Sequence, residues 1–382
     1  MARATRLVID GRRLTARRTG VGRYLQVLLE GWALAGVPLR KGLLVLADRS
    51  GLGLVPTVPG LAVEVAGERL PGLAWEVLAL GRRLRTGDLL VAPANLVPPF
   101  WGGPTLLVLH DALMASRPGD FPRSARWRLA GRYRSAARRA DLVVVPSMAT
   151  AAEATRHYGV GPSRIRVIPP AVDPAFRPEP RAAAAARRAL GLGDGAYFLF
   201  VGKPSIRRHL AEIIEAFTSF RARHPGYTLV LAGPGVDGPE FAAEGVAAIG
   251  FAPEAHLPGL YAGAIALIYP SEAEGFGLPV AEAMAAGCPV AVLRGGAPAE
   301  AAGEAAWYLD SPSPGAIEAA MIALATDPGV RSRCIAAGLM RSGAFERRGV
   351  CAAFADAIRE LADAQPAATD RRARRDDSIS PR

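Results

Sequence analysis

Short apolar runs recur along the chain, separated by stretches with helical periodicity. Residues 7–10, 43–47, 89–92, 105–110, 141–146 and 165–168 read as strands. Their runs are continuously apolar rather than alternating, as expected for strands covered on both faces. Residues 20–35 and 123–139 read as helices, and Ser147 is placed to cap a third that runs to Tyr158. Residues 173–194 carry no strand signal and read as a linker with one short helix. The alternation then restarts, with strands at 197–201, 228–232, 247–249, 264–269 and 289–292 and helices at 210–223 and 279–286. Strands alternating with helices predict an α/β protein with two doubly wound, Rossmann-like parallel-sheet domains facing a central cleft. The expected division is 1–176, 177–350, a helix over 351–366 that packs back on the first domain, and a disordered tail over 367–382.

Length and composition agree with that reading. The chain has 382 residues, 50% hydrophobic and 21% charged, enough apolar material for two cores. The uncharged run 89–110 is long enough to span a bilayer. Pro93, Pro98, Pro99, Gly102, Gly103 and Pro104 interrupt it, so it reads as two buried strands around a loop. The first residues lack the apolar segment of a signal peptide, and Cys288, Cys334 and Cys351 show no CxxC spacing. The expected compartment is the reducing cytoplasm.

Charge is placed unevenly. Residues 1–177 carry a net +14, residues 178–366 a net −5 and the tail +2, while Lys41 and Lys203 are the only lysines among 46 basic side chains. Arginine excess fits a GC-rich coding sequence. The asymmetry points further, to an anionic partner of the first half. Seven arginines crowd residues 123–139, and on a helix Arg128, Arg132 and Arg139 share a face. That stretch is a candidate for resting on an anionic membrane surface. Nothing resembling a zinc site, aromatic platform or helix-turn-helix accompanies the charge, so nucleic acid is not an expected partner.

The sharpest chemical signal is Glu274-Gly-Phe-Gly-Leu-Pro-Val-Ala-Glu282, which follows a strand and opens a helix. Gly275 and Gly277 bare backbone N–H groups near a helix start, which suits an anion. Glu274 and Glu282 would bracket a ligand lying across that start. Spacing alone also fits an N-terminal helix charge and an exposed helix residue. A second basic stretch, Lys203 with Arg207 and Arg208, leaves a strand and enters a helix. Such charge suits a diphosphate leaving group. His110 ends a strand of the first domain, and Gly20 and Gly22 allow close backbone approach. The dinucleotide fingerprint is incomplete, because position 25 is Leu. The domains contain no Asp-x-Asp, and the histidines lack metal-ligand spacing, so no metal is expected.

Taken together, EGFGLPVAEAMAAGCPV, the preceding YPS, the Gly250 to Tyr261 segment, IDGRRLTARRTGVGRY, LVLHDAL, ADLVVVPS and RIRVIPPAVD resemble the retaining family-4 glycosyltransferases of GT-B fold over roughly residues 7–350. The resemblance implies that Glu282 binds the nucleotide ribose hydroxyls. It places Glu274 near the 3-hydroxyl of the transferred sugar and His110 near its 6-hydroxyl. The amides from Gly275 through Phe276 and Gly277 to Leu278 would meet the sugar and phosphate, with Gly22, Lys203 and Arg208 completing the donor site. Arg208 stands where the family usually has Lys. The implied activity is transfer of a hexose from a nucleotide diphospho-sugar, with GDP-mannose weakly favoured. The acceptor would be a glycan or lipid-linked molecule of cell-envelope or polysaccharide biosynthesis. No cofactor is implied. The alternatives are a same-fold sugar-nucleotide epimerase or phosphorylase, although a phosphorylase would need a cofactor lysine and the second domain offers only Lys203, and, in a different class, a basic nucleic-acid-binding protein.

Overall fold

The computed structural model describes residues 6–15, 20–35 and 41–364. Two parallel sheets organise it. The first contains β1 (Arg6–Asp10), β2 (Lys41–Leu46), β3 (Leu61–Val65), β4 (Leu89–Ala92), β5 (Thr105–Val108), β6 (Leu142–Val145) and β7 (Ile165–Val167), in the order β3-β2-β1-β4-β5-β6-β7. The second contains β8 (Ala196–Val201), β9 (Tyr227–Ala232), β10 (Val246–Gly250), β11 (Ala266–Tyr269), β12 (Val290–Leu293) and β13 (Ala306–Leu309), in the order β10-β9-β8-β11-β12-β13. Strand order reverses between β1 and β4 and between β8 and β11. Those are the switch points where such sheets open a crevice beyond their carboxyl ends.

The expected strand burial is visible residue by residue. Leu7, Ile9, Leu89, Val91, Leu106 and Val108 join one core layer, whereas Val8, Leu90, Ala92 and Leu107 join the other. The run 89–110 is divided between β4, a loop and β5, and no helix among the described residues is long and apolar enough to cross a membrane. The two strands missing from the sequence reading, β3 and β13, are both edge strands. The three central residues of β3 are exposed, so its sequence carries little of the buried-strand signal.

The helix Arg347–Asp363 crosses back to the first sheet. Its Val350, Phe354, Ile358 and Leu361 enter the core layer of Leu7 and Leu89. Phe354 meets Tyr24 edge-on at 5.1 Å, and burying such a side chain stabilises by about 1.5–3 kcal/mol. The tail 367–382 and residues 16–19 of the glycine loop lie outside the described residues.

Candidate active site

The loops that leave the carboxyl ends of the two sheets meet each other. His110 lies two residues beyond β5, and its carbonyl abuts Gly275, which follows β11. A Cβ built on Gly275 would stand 1.9 Å from that oxygen, so only glycine fits. The Gly275 carbonyl accepts from Ser147 Oγ at 2.7 Å and Thr150 Oγ1 at 2.9 Å. Ser147 is also the N-cap of the helix Met148–Glu153, accepting from the Thr150 amide at 3.0 Å. The Glu300 carboxylate, from the second domain, accepts from the free amides of Met148 and Ala149 at 2.7 and 3.0 Å. One helix start thus satisfies its orphan N–H groups and joins the domains at once.

Glu274 is held by its own neighbours. Its Oε1 accepts from Arg208 Nε at 2.7 Å, Ser271 Oγ at 3.0 Å and Tyr269 O–H at 3.1 Å, and Arg207 Nε lies 3.7 Å away. Among the described residues these bonds gather on Oε1, which leaves Oε2 able to accept from a ligand. Arg208 also donates to the Lys203 carbonyl at 2.8 Å and lies over the Tyr269 ring. Lys203 itself is exposed. Arg207 proves as central as Arg208. It donates to the Ala273 carbonyl at 2.9 Å and stands 3.8 Å from Asp120 of the first domain.

Glu282 is buried, 4% exposed, which removes the reading of it as an exposed helix residue. It lies on the helix Leu278–Ala285, whose N-cap is Gly277 at φ 105°. A side chain there would be strained, and its Cβ would meet Pro298 Cα at 3.0 Å. Arg23 donates to Glu282 Oε1 at 2.5 Å and Tyr261 O–H to Oε2 at 3.2 Å. Burial pushes the Glu282 carboxyl up to about 7, while Arg23 and Tyr261 pull it back down. A cavity of about 220 Å³ opens beside it, with Leu278 and Phe176 among its apolar walls. Phe276 points the other way. Its side chain is buried in the core of the second domain, edge-on to Phe345. Gly22 lies in the first turn of the helix Gly20–Ala35, beside Arg23.

His110 is held neutral. Burial pushes its pKa down to about 4, and nearby Arg13 acts the same way. Its Nε2 lies 2.7 Å from the Pro93 carbonyl, which can only accept. The proton therefore sits on Nε2, and Nδ1 carries a lone pair. The His110 amide donates to Asn95 Oδ1 at 2.8 Å, and Asn95 takes a left-handed φ of 61° to present it. Asp111 orients the same loop by accepting from the Leu113 amide at 3.0 Å.

Sequence reasoning missed Asn95, Arg23 and a clasp in which Glu272 binds Arg117 of the first domain and His209 Nε2, the latter at 3.0 Å. His209 sits at φ 53°, a conformation uncommon outside glycine. Of these, Arg23 alone had a sequence signal, its place in the glycine loop. Among the described residues no group of three or more His, Cys, Asp or Glu could hold a metal ion.

Residues 19–176 match the family described as Glycosyltransferase Family 4, and residues 184–340 match Glycosyl transferases group 1. The chain belongs to the family-4 glycosyltransferases of GT-B fold. The chain is 34% identical over 305 residues to D-inositol 3-phosphate glycosyltransferase from Acidothermus cellulolyticus, a match covering 72% of this chain and 66% of the relative. Two further relatives of that description are spanned over 62% and 48% of their length. A stretch of 97 residues is 37% identical to O-antigen chain mannosyltransferase B from Escherichia coli, covering 25% of this chain and 26% of that one. In fold, Anabaena Alr3699/HepE in complex with UDP and glucose superposes with a TM-score of 0.72 at 18% identity, covering 93% of this chain and 100% of that one.

Proposed function

We propose that this glycosyltransferase is a retaining, metal-independent enzyme. It moves a hexose from a nucleotide diphospho-sugar, GDP-mannose being slightly favoured, to a glycan or lipid-linked acceptor of cell-envelope or polysaccharide biosynthesis. The observation that supports the reading is the convergence at Gly275. The His110 loop of one domain and the Glu274 loop of the other close on the same point, with Arg207 and Arg208 beside it. The short match to a mannosyltransferase favours mannose.

In this reading Glu282 accepts from the ribose hydroxyls, and Lys203, Arg207 and Arg208 face the diphosphate, whose negative charge grows as it departs. The amides of the loop from Gly275 to Leu278 meet the sugar and its phosphate. Glu274 Oε2 accepts from a sugar hydroxyl, and the Nδ1 lone pair of His110 accepts from another. The bond from the anomeric carbon to the phosphate oxygen breaks while the acceptor oxygen bonds on the same face. The acceptor proton passes to the departing phosphate, so no enzymic nucleophile is needed. A panel of nucleotide sugars assayed for nucleoside diphosphate release tests the reading. Release from one donor class is expected, and release from none would overturn it.

The placement of arginines supports a membrane-bound acceptor, with a revised face. Arg132 pairs with buried Glu76, and Arg139 donates to carbonyls of the 98–101 loop, so these two are engaged within the protein. Arg123, Arg126 and Arg134 stay exposed on one face of the helix Arg123–Arg139 together with Trp127, which, like Phe100, is 89% exposed. Each arginine near an anionic surface contributes about 1 kcal/mol. Sedimentation with anionic but not neutral vesicles at low salt is expected. Equal, negligible binding to both would remove the membrane from the account.

A further inference from the structure

Resting on the nucleotide reading of Glu282, we infer that Arg23 completes the donor site from the opposite domain, as a positioning residue that anchors the Glu282 carboxylate for the ribose. Arg23 belongs to the helix Gly20–Ala35 of the first domain and Glu282 to the helix Leu278–Ala285 of the second. Their contact spans the cleft at 2.5 Å, and the carboxylate is nearly inaccessible to water, with 5% of its side chain exposed.

The groups around Glu282 explain why one arginine matters. Tyr261 offers a neutral hydroxyl to Oε2 at 3.2 Å. Asp173, which lies beyond β7, presses on Glu282 with like charge. Glu254, on the loop after β10, shares Arg23 at 3.6 Å. The other arginine lining the cavity, Arg347, pairs with Glu30 at 3.0 Å and Asp173 at 3.4 Å. Among the described residues Arg23 is therefore the cation in direct contact with Glu282. Without it the buried carboxyl, pushed up to about 7 and so half protonated at neutral pH even beside Arg23, rises further and is protonated almost throughout. A protonated carboxyl becomes partly a donor and loses acceptor capacity for two hydroxyls. Because the cation comes across the cleft, opening the domains weakens ribose binding and closing them restores it. Donor affinity and closure are then two sides of one equilibrium.

The experiment is calorimetric titration with GDP and with UDP between pH 6 and 9. It uses the wild-type protein, Arg23→Met, Arg23→Lys, Glu282→Gln and the Arg23→Met/Glu282→Gln double variant, each checked for an unchanged melting transition. Removing an adjacent opposite charge raises a carboxyl's pKa by about 1–3, so Arg23→Met should weaken binding of the tighter nucleotide about fivefold or more at pH 7. Much of that loss should return at pH 9, and Arg23→Lys should retain most of the affinity. In the Glu282→Gln background, Arg23→Met should change affinity less than about twofold, because the group it serves is gone. An equal loss in both backgrounds, or a loss that does not vary with pH, would overturn the inference while leaving the ribose role of Glu282 intact. Unchanged binding by Glu282→Gln alone would overturn that role and the inference with it.

Discussion

The C-terminal wall of the cleft draws its chemistry from two short stretches, 203–209 and 271–282, each leaving a strand beside the switch point of its sheet. The N-terminal wall assembles Arg23, Asn95, His110, Arg117 and Ser147 from five separate segments. The first wall is largely complete within itself. Arg208, Tyr269 and Ser271 fix Glu274 without help from the other domain. The second acts mainly by reaching across, through the His110 carbonyl, Ser147, Arg117 and Arg23. Charge shows the same contrast. The first half is strongly basic, yet several of its arginines are engaged in structure, as Arg12 is between buried Asp10 and Glu76 and Arg6 is on Asp88. The basic groups assigned to the diphosphate, Lys203, Arg207 and Arg208, belong to the acidic half. In the proposed function the wall assigned to the donor is therefore local, whereas the opposite wall depends on docking.

The largest expected effect breaks the local wall. Glu274→Ala should lower turnover at least about 10²-fold, the scale of a lost transition-state contact. It should also lower the melting temperature, because Arg208 loses its carboxylate in a poorly solvated place. Near-wild-type turnover would remove Glu274 from the reaction. Next, Gly275→Ala sharpens the contrast by forcing the walls apart, since its Cβ would overlap the His110 carbonyl. Turnover should fall about tenfold or more, and the radius of gyration from small-angle scattering should rise. A catalytically normal variant would show that docking at this point is dispensable. Replacing Lys203 and Arg208 together by Ala should weaken nucleoside diphosphate binding by more than about 1.4 kcal/mol, a tenfold change. Unchanged affinity in calorimetry would place the diphosphate elsewhere.

The smallest effect concerns His110. Its folded pKa of about 4 lies below the ordinary 6.5, so the native state resists protonation. The stability this group contributes is full above about pH 6.5 and is lost as pH falls toward 4. His110→Gln should flatten that part of the melting-temperature profile. An identical acid profile in the variant would mean that another group controls it.

The sequence displayed the framework and the local wall well. The helices Gly20–Ala35, Arg123–Arg139 and Leu210–Arg223 fall where periodicity put them, since each has a long amphipathic repeat. Buried strands announced themselves by continuous apolar runs, whereas β3 and β13, on the sheet edges, did not. Glu274 and Lys203 were visible because a strand, a turn and a helix start lie together in sequence. Arg23 and Glu282 are 259 residues apart, and no local pattern joins them. The carbonyl contact at Gly275 was hidden for the same reason. The direction of the Phe276 side chain was hidden too, because a buried aromatic and a ligand-facing one look alike in a glycine loop.

The most direct measurement is the anomer first formed when water serves as the acceptor. With an α-linked nucleotide hexose identified by the donor panel, proton magnetic resonance can follow the released sugar before it mutarotates. The account predicts that α-hexose appears first, and that Glu274→Ala releases it at least about 10²-fold more slowly. β-Hexose appearing first would contradict same-face transfer in this cleft.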